Sequence, residues 1–301
     1  MKRPPHLNPL LAGERKLEVP SPRWGEGGGG EGDLQIKKEG LPMFKKVFVI
    51  GFLMFGMAGT TFAAHPLITD DAGTQGKGKS QLEFIVEYSH DEEDGVAEKS
   101  LEIPTIPFLS YGITDAIDVV LGITYSSVNM EDAGTTATVR GVTDTSIELK
   151  WRFYEKDGLS FAVKPGISLP TGDENNGLGN GNVSFSTFFI ATKEAGPWAF
   201  HLNLGHAQNE YKLQEDKDAN RAGIWHASIA SQVEVANDLT AVANVGIERN
   251  PDKTSNTHPA FILGGLIYSI AENVDLDFGI KGGLNKPETD LTVLAGIALK
   301  F

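Results

Sequence analysis

From about Lys79 to its last residue the chain alternates between apolar and polar side chains with a period of two. Leu291, Val293, Ala295, Ile297, Leu299 and Phe301 share one face, with Thr292, Gly296 and Lys300 on the other. Thr145, Ile147, Leu149, Trp151 and Phe153 alternate in the same way with Ser146, Glu148, Lys150, Arg152 and Tyr154. This is the period of a strand whose two sides meet different surroundings. It recurs in twelve segments, near residues 80–90, 99–111, 116–127, 143–155, 158–169, 182–193, 197–208, 222–236, 238–249, 259–271, 273–283 and 289–301. At about 10–15 residues each, these are long enough to cross a bilayer at a tilt, whereas soluble strands average about 5–6. The second and tenth segments alternate poorly. The second also carries Pro104 and Pro107, each of which removes a ladder donor.

The links between segments are sorted by length. Short ones follow the even-numbered segments: Gly112-Ile113-Thr114-Asp115, Lys156-Asp157, Glu194-Ala195-Gly196, Asn237 and Glu272-Asn273. The others are mostly long and polar: Asp91 to Glu98, Asn129 to Gly141, Thr171 to Gly181, Asn209 to Arg221 and Asn250 to His258. An even strand number, with short turns at one end and long loops at the other, predicts an all-β fold. The fold is a transmembrane antiparallel β-barrel of the outer-membrane kind, of about twelve strands, with both termini on the periplasmic side. A soluble barrel or sandwich would turn its apolar face inward. Here strand length and loop asymmetry favour the inverse, with lipid outside and a polar lumen inside; a secreted β-sandwich is the alternative. The expected lumen lining is Glu83, Glu87, Glu148, Lys150, Arg152, Lys164, His201, Asn203, His226, Glu234, Glu248, Asp275, Asp277 and Lys281. Tyr88, Tyr111, Tyr125, Trp151, Trp198, Trp225, Tyr268 and Phe301 fall toward strand ends, where interfacial girdles are expected. Leu121 is placed on the lipid face and Gly122 on the lumen face, where a serine is expected to be tolerated.

The N-terminal quarter is different. Residues 1–42 are rich in Pro, Gly and charge and carry no apolar period, so they bury too little to offset the entropy of ordering. Met43-Phe44-Lys45-Lys46, the apolar run Val47 to Met57 and the small residues up to Ala64 have the three-part layout of a signal peptide. Thr61 and Ala63 at −3 and −1 place cleavage between Ala63 and Ala64. The expected organisation is an upstream stretch 1–42 that is not a domain, with Met43 the true start, then a signal peptide 43–63. An N-terminal segment 64–78 follows, as a periplasmic tail or a lumenal plug, and a barrel 79–301. A net charge of −14 argues against a nucleic-acid partner, and the lack of any cysteine excludes disulfides and thiolate metal sites.

The run His65-Pro66-Leu67-Ile68-Thr69-Asp70-Asp71-Ala72-Gly73-Thr74-Gln75-Gly76-Lys77-Gly78-Lys79 resembles the mature N-terminus of a family of bacterial outer-membrane proteins. This is the meta-pathway of phenol degradation (MetA-like) family. Leu169-Pro170-Thr171-Gly172-Asp173, with its glycines up to Gly181, is similar to loops that follow a strand in that family. Phe301 after alternating apolar residues is similar to the assembly signal of outer-membrane barrels generally. The resemblance implies a channel or transporter for small molecules, linked in some members to aromatic-compound catabolism.

The functional expectation is passage of a small molecule, including hydrophobic or aromatic compounds, through a polar lumen. The alternatives are a non-conducting structural or adhesion barrel and a barrel hydrolase. The second would need His226 and Ser228, or His201 and Asn203, to meet an oxyanion stabiliser, and no Gly-x-Ser-x-Gly elbow is present. No enzyme, cofactor or metal site is expected. The Gly177 to Gly181 run lacks the Lys-Ser/Thr of a phosphate loop and reads as a flexible tip. Expected partners are outer-membrane lipid and lipopolysaccharide, the barrel assembly machinery and a small solute.

Overall fold

The computed structural model describes residues 65–93, 96–132 and 135–301. The upstream stretch, the expected signal peptide and the expected Ala63/Ala64 cleavage site lie outside them. Thirteen strands follow in order: β1 (Ser80–Glu93), β2 (Val96–Thr114), β3 (Ile117–Asp132), β4 (Thr135–Val142), β5 (Thr145–Lys156), β6 (Leu159–Leu169), β7 (Ser184–Ala195), β8 (Trp198–Gln208), β9 (Gly223–Ala236), β10 (Leu239–Glu248), β11 (Ala260–Ala271), β12 (Val274–Gly283) and β13 (Leu291–Lys300). Among the described residues one short α-helix, α1 (Gln214–Ala219), sits between β8 and β9, and a 3-10 turn, Glu174–Asn176, sits between β6 and β7.

Except for β4 and β5, which both pair with β3, each strand pairs antiparallel with its neighbour in sequence, and β1 pairs with β13 from Gln81↔Lys300 to His90↔Leu291. The sheet therefore closes on itself. Its wall has twelve strands because β4 and β5 share one neighbour: Tyr125 to Asp132 of β3 pair with β4, and Ile117 to Gly122 pair with β5. Closure leaves no open edge in the wall, which lipid requires, because an unpaired N–H or C=O in hydrocarbon costs several kcal/mol by roughly the full desolvation penalty.

The stretch Asn129 to Gly141, expected as a loop, is a correction to the sequence reading. It is a hairpin in which β3 runs on and β4 returns. The sequence Thr135-Thr136-Ala137-Thr138-Val139-Arg140-Gly141-Val142 is β-competent but too polar to show a lipid-facing period. The two prolines of β2 appear as register shifts between Pro104 and Ile106 and between Ile106 and Leu109. The turn Asp157-Gly158 has positive φ at both residues, 52° and 71°, the backbone twist that suits a two-residue hairpin.

The outer face carries Phe84, Leu149, Phe153, Phe189, Phe200, Ile229, Ile262, Phe278 and Ile280, all exposed. Tyr111, Trp151, Trp198, Tyr268 and Phe301 gather near the short-turn end, while Tyr88 and Trp225 lie toward the loop end. An exposed apolar belt of this size has no stable home in water and matches the hydrocarbon band between two aromatic girdles. Phe301 lies at the seam, its backbone N–H donating to the Ser80 carbonyl at 2.8 Å and its carbonyl accepting from Ser80 N–H at 3.1 Å.

Candidate functional site

The interior is crossed by the chain itself. Residues 65–78 run along the inner wall and reach side chains on strand after strand before entering β1. We call them the strap. His65 meets Asp277 of β12. Pro66 is buried against Gly265 of β11 and Gly279 of β12, where an added Cβ would lie 2.7 Å from its ring at each position. The backbone N–H groups of Ile68 and Thr69 donate to Asn244 Oδ1 of β10 at 2.8 and 3.0 Å. Thr69 Oγ1 donates to Ser228 of β9 at 2.7 Å. Asp70 exchanges two backbone bonds with the Asn203 amide of β8, at 2.8 and 2.7 Å. Ala72 N–H donates to Thr192 Oγ1 of β7 at 2.9 Å, and Gln75 N–H to Asp118 Oδ2 of β3 at 2.9 Å. The strap has no sheet partner, so these wall side chains satisfy backbone groups that would otherwise be buried unpaired.

Its one fully buried charge is clamped. Asp70 Oδ1 accepts from Lys150 Nζ of β5 at 2.8 Å, and Oδ2 lies 3.0 Å from Lys164 Nζ of β6. Glu148 of β5 lies 3.4 Å from Lys164. Two ammoniums and two carboxylates thus cancel inside the barrel, the condition under which buried charge is tolerated. Lys150 also donates to the Asp71 carbonyl at 3.1 Å.

Apolar side chains share the inner wall, which the expectation of a polar lumen missed. Leu67 packs into a cluster of Ala230, Val242, Phe261, Leu263 and Leu294, and Ala72 into one of Ala162, Phe188 and Ile190. These wall residues alternate with lipid-facing neighbours that are also apolar, so binary patterning alone could not separate them.

The other residues singled out from the sequence fall in several places. His201 Nδ1 bonds Thr192 Oγ1 at 2.9 Å. Asp275 accepts from Ser269 at 2.6 Å and pairs with Lys300 at 2.5 Å. Lys281 pairs with Glu288 at 2.7 Å. Glu83 is buried beside His65, Asp277 and Asp275, while Glu87 faces Glu102 across the β1–β2 ladder. Arg152 donates to the Asp115 carbonyl at 3.0 Å, near the short-turn end. Glu234 is exposed at that end and lines nothing enclosed. His226 Nε2 lies 3.0 Å from Ser228 Oγ and its Nδ1 lies 3.5 Å from Glu248. The spacing is that of a serine, a base and an orienting acid. However, Ser228 is buried under Thr69 and accepts its hydroxyl, and the backbone of Ser228 is committed to the β8 and β10 ladders. Those ladders leave the serine no backbone donor to stabilise an oxyanion.

The family model described as "Putative MetA-pathway of phenol degradation" matches residues 66–301. The chain belongs to this family. Among solved structures it is similar to the COG4313 outer membrane channel from Pseudomonas putida F1. The TM-score is 0.60 at 13% identity, over 77% of this chain and 98% of that one. It is also similar to the NanC porin, with a TM-score of 0.49 at 10% identity, over 72% of this chain and 100% of that one. None of the curated proteins compared with it matches the chain.

The two runs that carry the family resemblance are both tied down in the folded barrel. One is the strap. The other, Leu169 to Gly181, was expected to end in a flexible tip and does not. Leu178 is buried against Val128, Met130 and Val139 of the β3–β4 hairpin. Asp144, in the break between β4 and β5, accepts from Gly172 N–H at 2.9 Å and Asn180 N–H at 2.8 Å, closing the loop's two arms. At the loop's outer turn the Asn175 backbone N–H holds the Asp173 carboxylate below its ordinary range. Further bonds tie each loop to the next. Lys212 N–H donates to the Asn180 carbonyl at 2.8 Å, Arg221 N–H to Pro251 at 2.8 Å, and Asn285 Nδ2 to His258 at 2.7 Å. The loop end is a bonded collar.

Proposed function

We propose that the protein is an outer-membrane channel for small molecules and that the strap is the element that closes it. The observation that carries this is a wall already sealed by its own hydrogen bonds, with an additional segment seated inside it mainly on wall side chains rather than in a ladder. A barrel braced only for strength has no need of a separable occupant, whereas a channel needs one part that can leave without opening the wall. The name of the Pseudomonas putida structure, an outer membrane channel, supports the same reading. The family's description directs the choice of solute toward small phenol-like aromatic compounds.

The experiment is conductance in planar bilayers, with the full chain beside a variant lacking residues 65–74. Both are first checked for a folded barrel by their shift on SDS gels after boiling. The full chain is expected to show small or rare openings and the truncated chain a steady larger one. Two folded barrels that conduct nothing would overturn the reading. Ser228 holds the strap through Thr69 and, in this reading, the Ser228, His226 and Glu248 row does not catalyse; a serine-reactive fluorophosphonate is expected to leave Ser228 unlabelled.

A further inference from the structure

The residues that hold Asp70 form a ligand site with its occupant in place. Lys150 and Lys164 project from adjacent strands, both side chains nearly fully buried, and grip the two oxygens of one carboxylate from two sides. Withdraw Asp70 and Asp71 with the strap, and Lys164 keeps Glu148 while the buried charge of Lys150 keeps no carboxylate in direct contact, only Asp118 farther off. That charge is costly unless another anion replaces the carboxylate. Asp70 thus cannot be withdrawn cheaply into an empty lumen, but it can be exchanged.

The surroundings say what kind of anion fits. The ring of Phe188 lies 5.7 Å from Lys164 Nζ, and with Ile190 and Ala162 it makes the apolar patch that Ala72 covers. The Asn203 amide would also be freed from the Asp70 backbone. A ligand that replaced the strap here would offer a carboxylate to two ammoniums, a flat apolar body to an aromatic ring and a polar edge to an amide. We propose that Lys150 and Lys164 form the binding site for a small aromatic monocarboxylate, and that Asp70 is the resident carboxylate it displaces to open the channel. This rests on the channel reading above and adds the class of solute and the means of opening.

The test uses the full chain in proteoliposomes, with benzoate as probe and benzyl alcohol as its neutral counterpart. Wild type is expected to take up benzoate saturably and at least about tenfold faster than benzyl alcohol, a preference worth about 1.4 kcal/mol. Asp70→Ala, which empties the clamp, should raise benzoate uptake. Adding Lys150→Met and Lys164→Met to Asp70→Ala should abolish the preference while the pore still passes benzyl alcohol. Glu148→Gln is combined with these where charge balance limits folding, and each variant is checked by its heat-dependent gel shift. Folded variants that conduct with no preference for benzoate would overturn this inference and leave the channel standing. Folded variants that pass neither solute would overturn both.

Discussion

Asn244 and Thr69 are bonded through both ends of the asparagine amide: Oδ1 accepts the Thr69 N–H at 3.0 Å and Nδ2 donates to Thr69 Oγ1 at 2.7 Å. Strap and wall are held here by the same two-ended amide grip that Asn203 applies to Asp70. Asn244→Ala leaves the Ile68 and Thr69 N–H groups buried without partners, at a cost of about 1–3 kcal/mol for each unsatisfied group. The strap should loosen while the wall stays. Because the chain has no cysteine, a single Thr74→Cys can report it. Maleimide should label that cysteine faster in the Asn244→Ala background, and equal rates would count against the strap's dependence on Asn244.

Gly279→Ala tests the seat of Pro66. The new methyl would lie 2.7 Å from Pro66 Cβ and 3.0 Å from Cγ, yet 3.7 Å from Leu294, so the pressure falls on the strap rather than on the wall. Conductance should rise with the barrel's gel shift intact. Pro66→Gly added to it should restore the closed behaviour.

Phe278→Arg tests which face meets lipid. The ring lies mid-strand on β12 and is 48% exposed. A charge there should cost about 2–4 kcal/mol of folding stability in vesicles, read by denaturant unfolding, if it faces the bilayer midplane. Phe278→Leu should cost far less.

Asp144→Ala releases both arms of the loop between β6 and β7. The Gly172 and Asn180 N–H groups lose their acceptor, again at about 1–3 kcal/mol each where water does not replace it. Protease added outside whole cells is expected to cut between residues 170 and 183 in the variant only. An uncut loop would mean that Leu178 packing alone holds it.

The wall was legible because its signal is repetitive. Each strand restates the same period, so one poor segment, such as the proline-bearing β2, does not spoil the count. The fittings inside were not legible, because their partners are distant in the chain. Asp70 finds Lys150 and Lys164, and Thr69 finds Asn244 175 residues away, and no local pattern announces either pairing. Asp70 was visible only as part of a family-like run, and Lys150 and Lys164 only as polar members of an alternating strand. Gly122 shows the same limit on a smaller scale. Its inward face was read correctly, but a side chain there would meet the Phe108 ring at 2.4 Å and Ser146 at 2.7 Å, so serine is not the mild change expected. Overpacking of that kind costs about 1–3 kcal/mol. Phe108 shares the inward, even-numbered face of β2 with Ser110 and Gly112, so an apolar ring stands where the alternation predicts a polar group.

The strap's handholds are spread over β3, β5 to β12 and their glycines, with hardly two on one strand. No fragment of the wall offers more than a few of them. The full berth of residues 65–78 therefore exists only once the wall has been assembled, so an occupied interior reports a completed barrel.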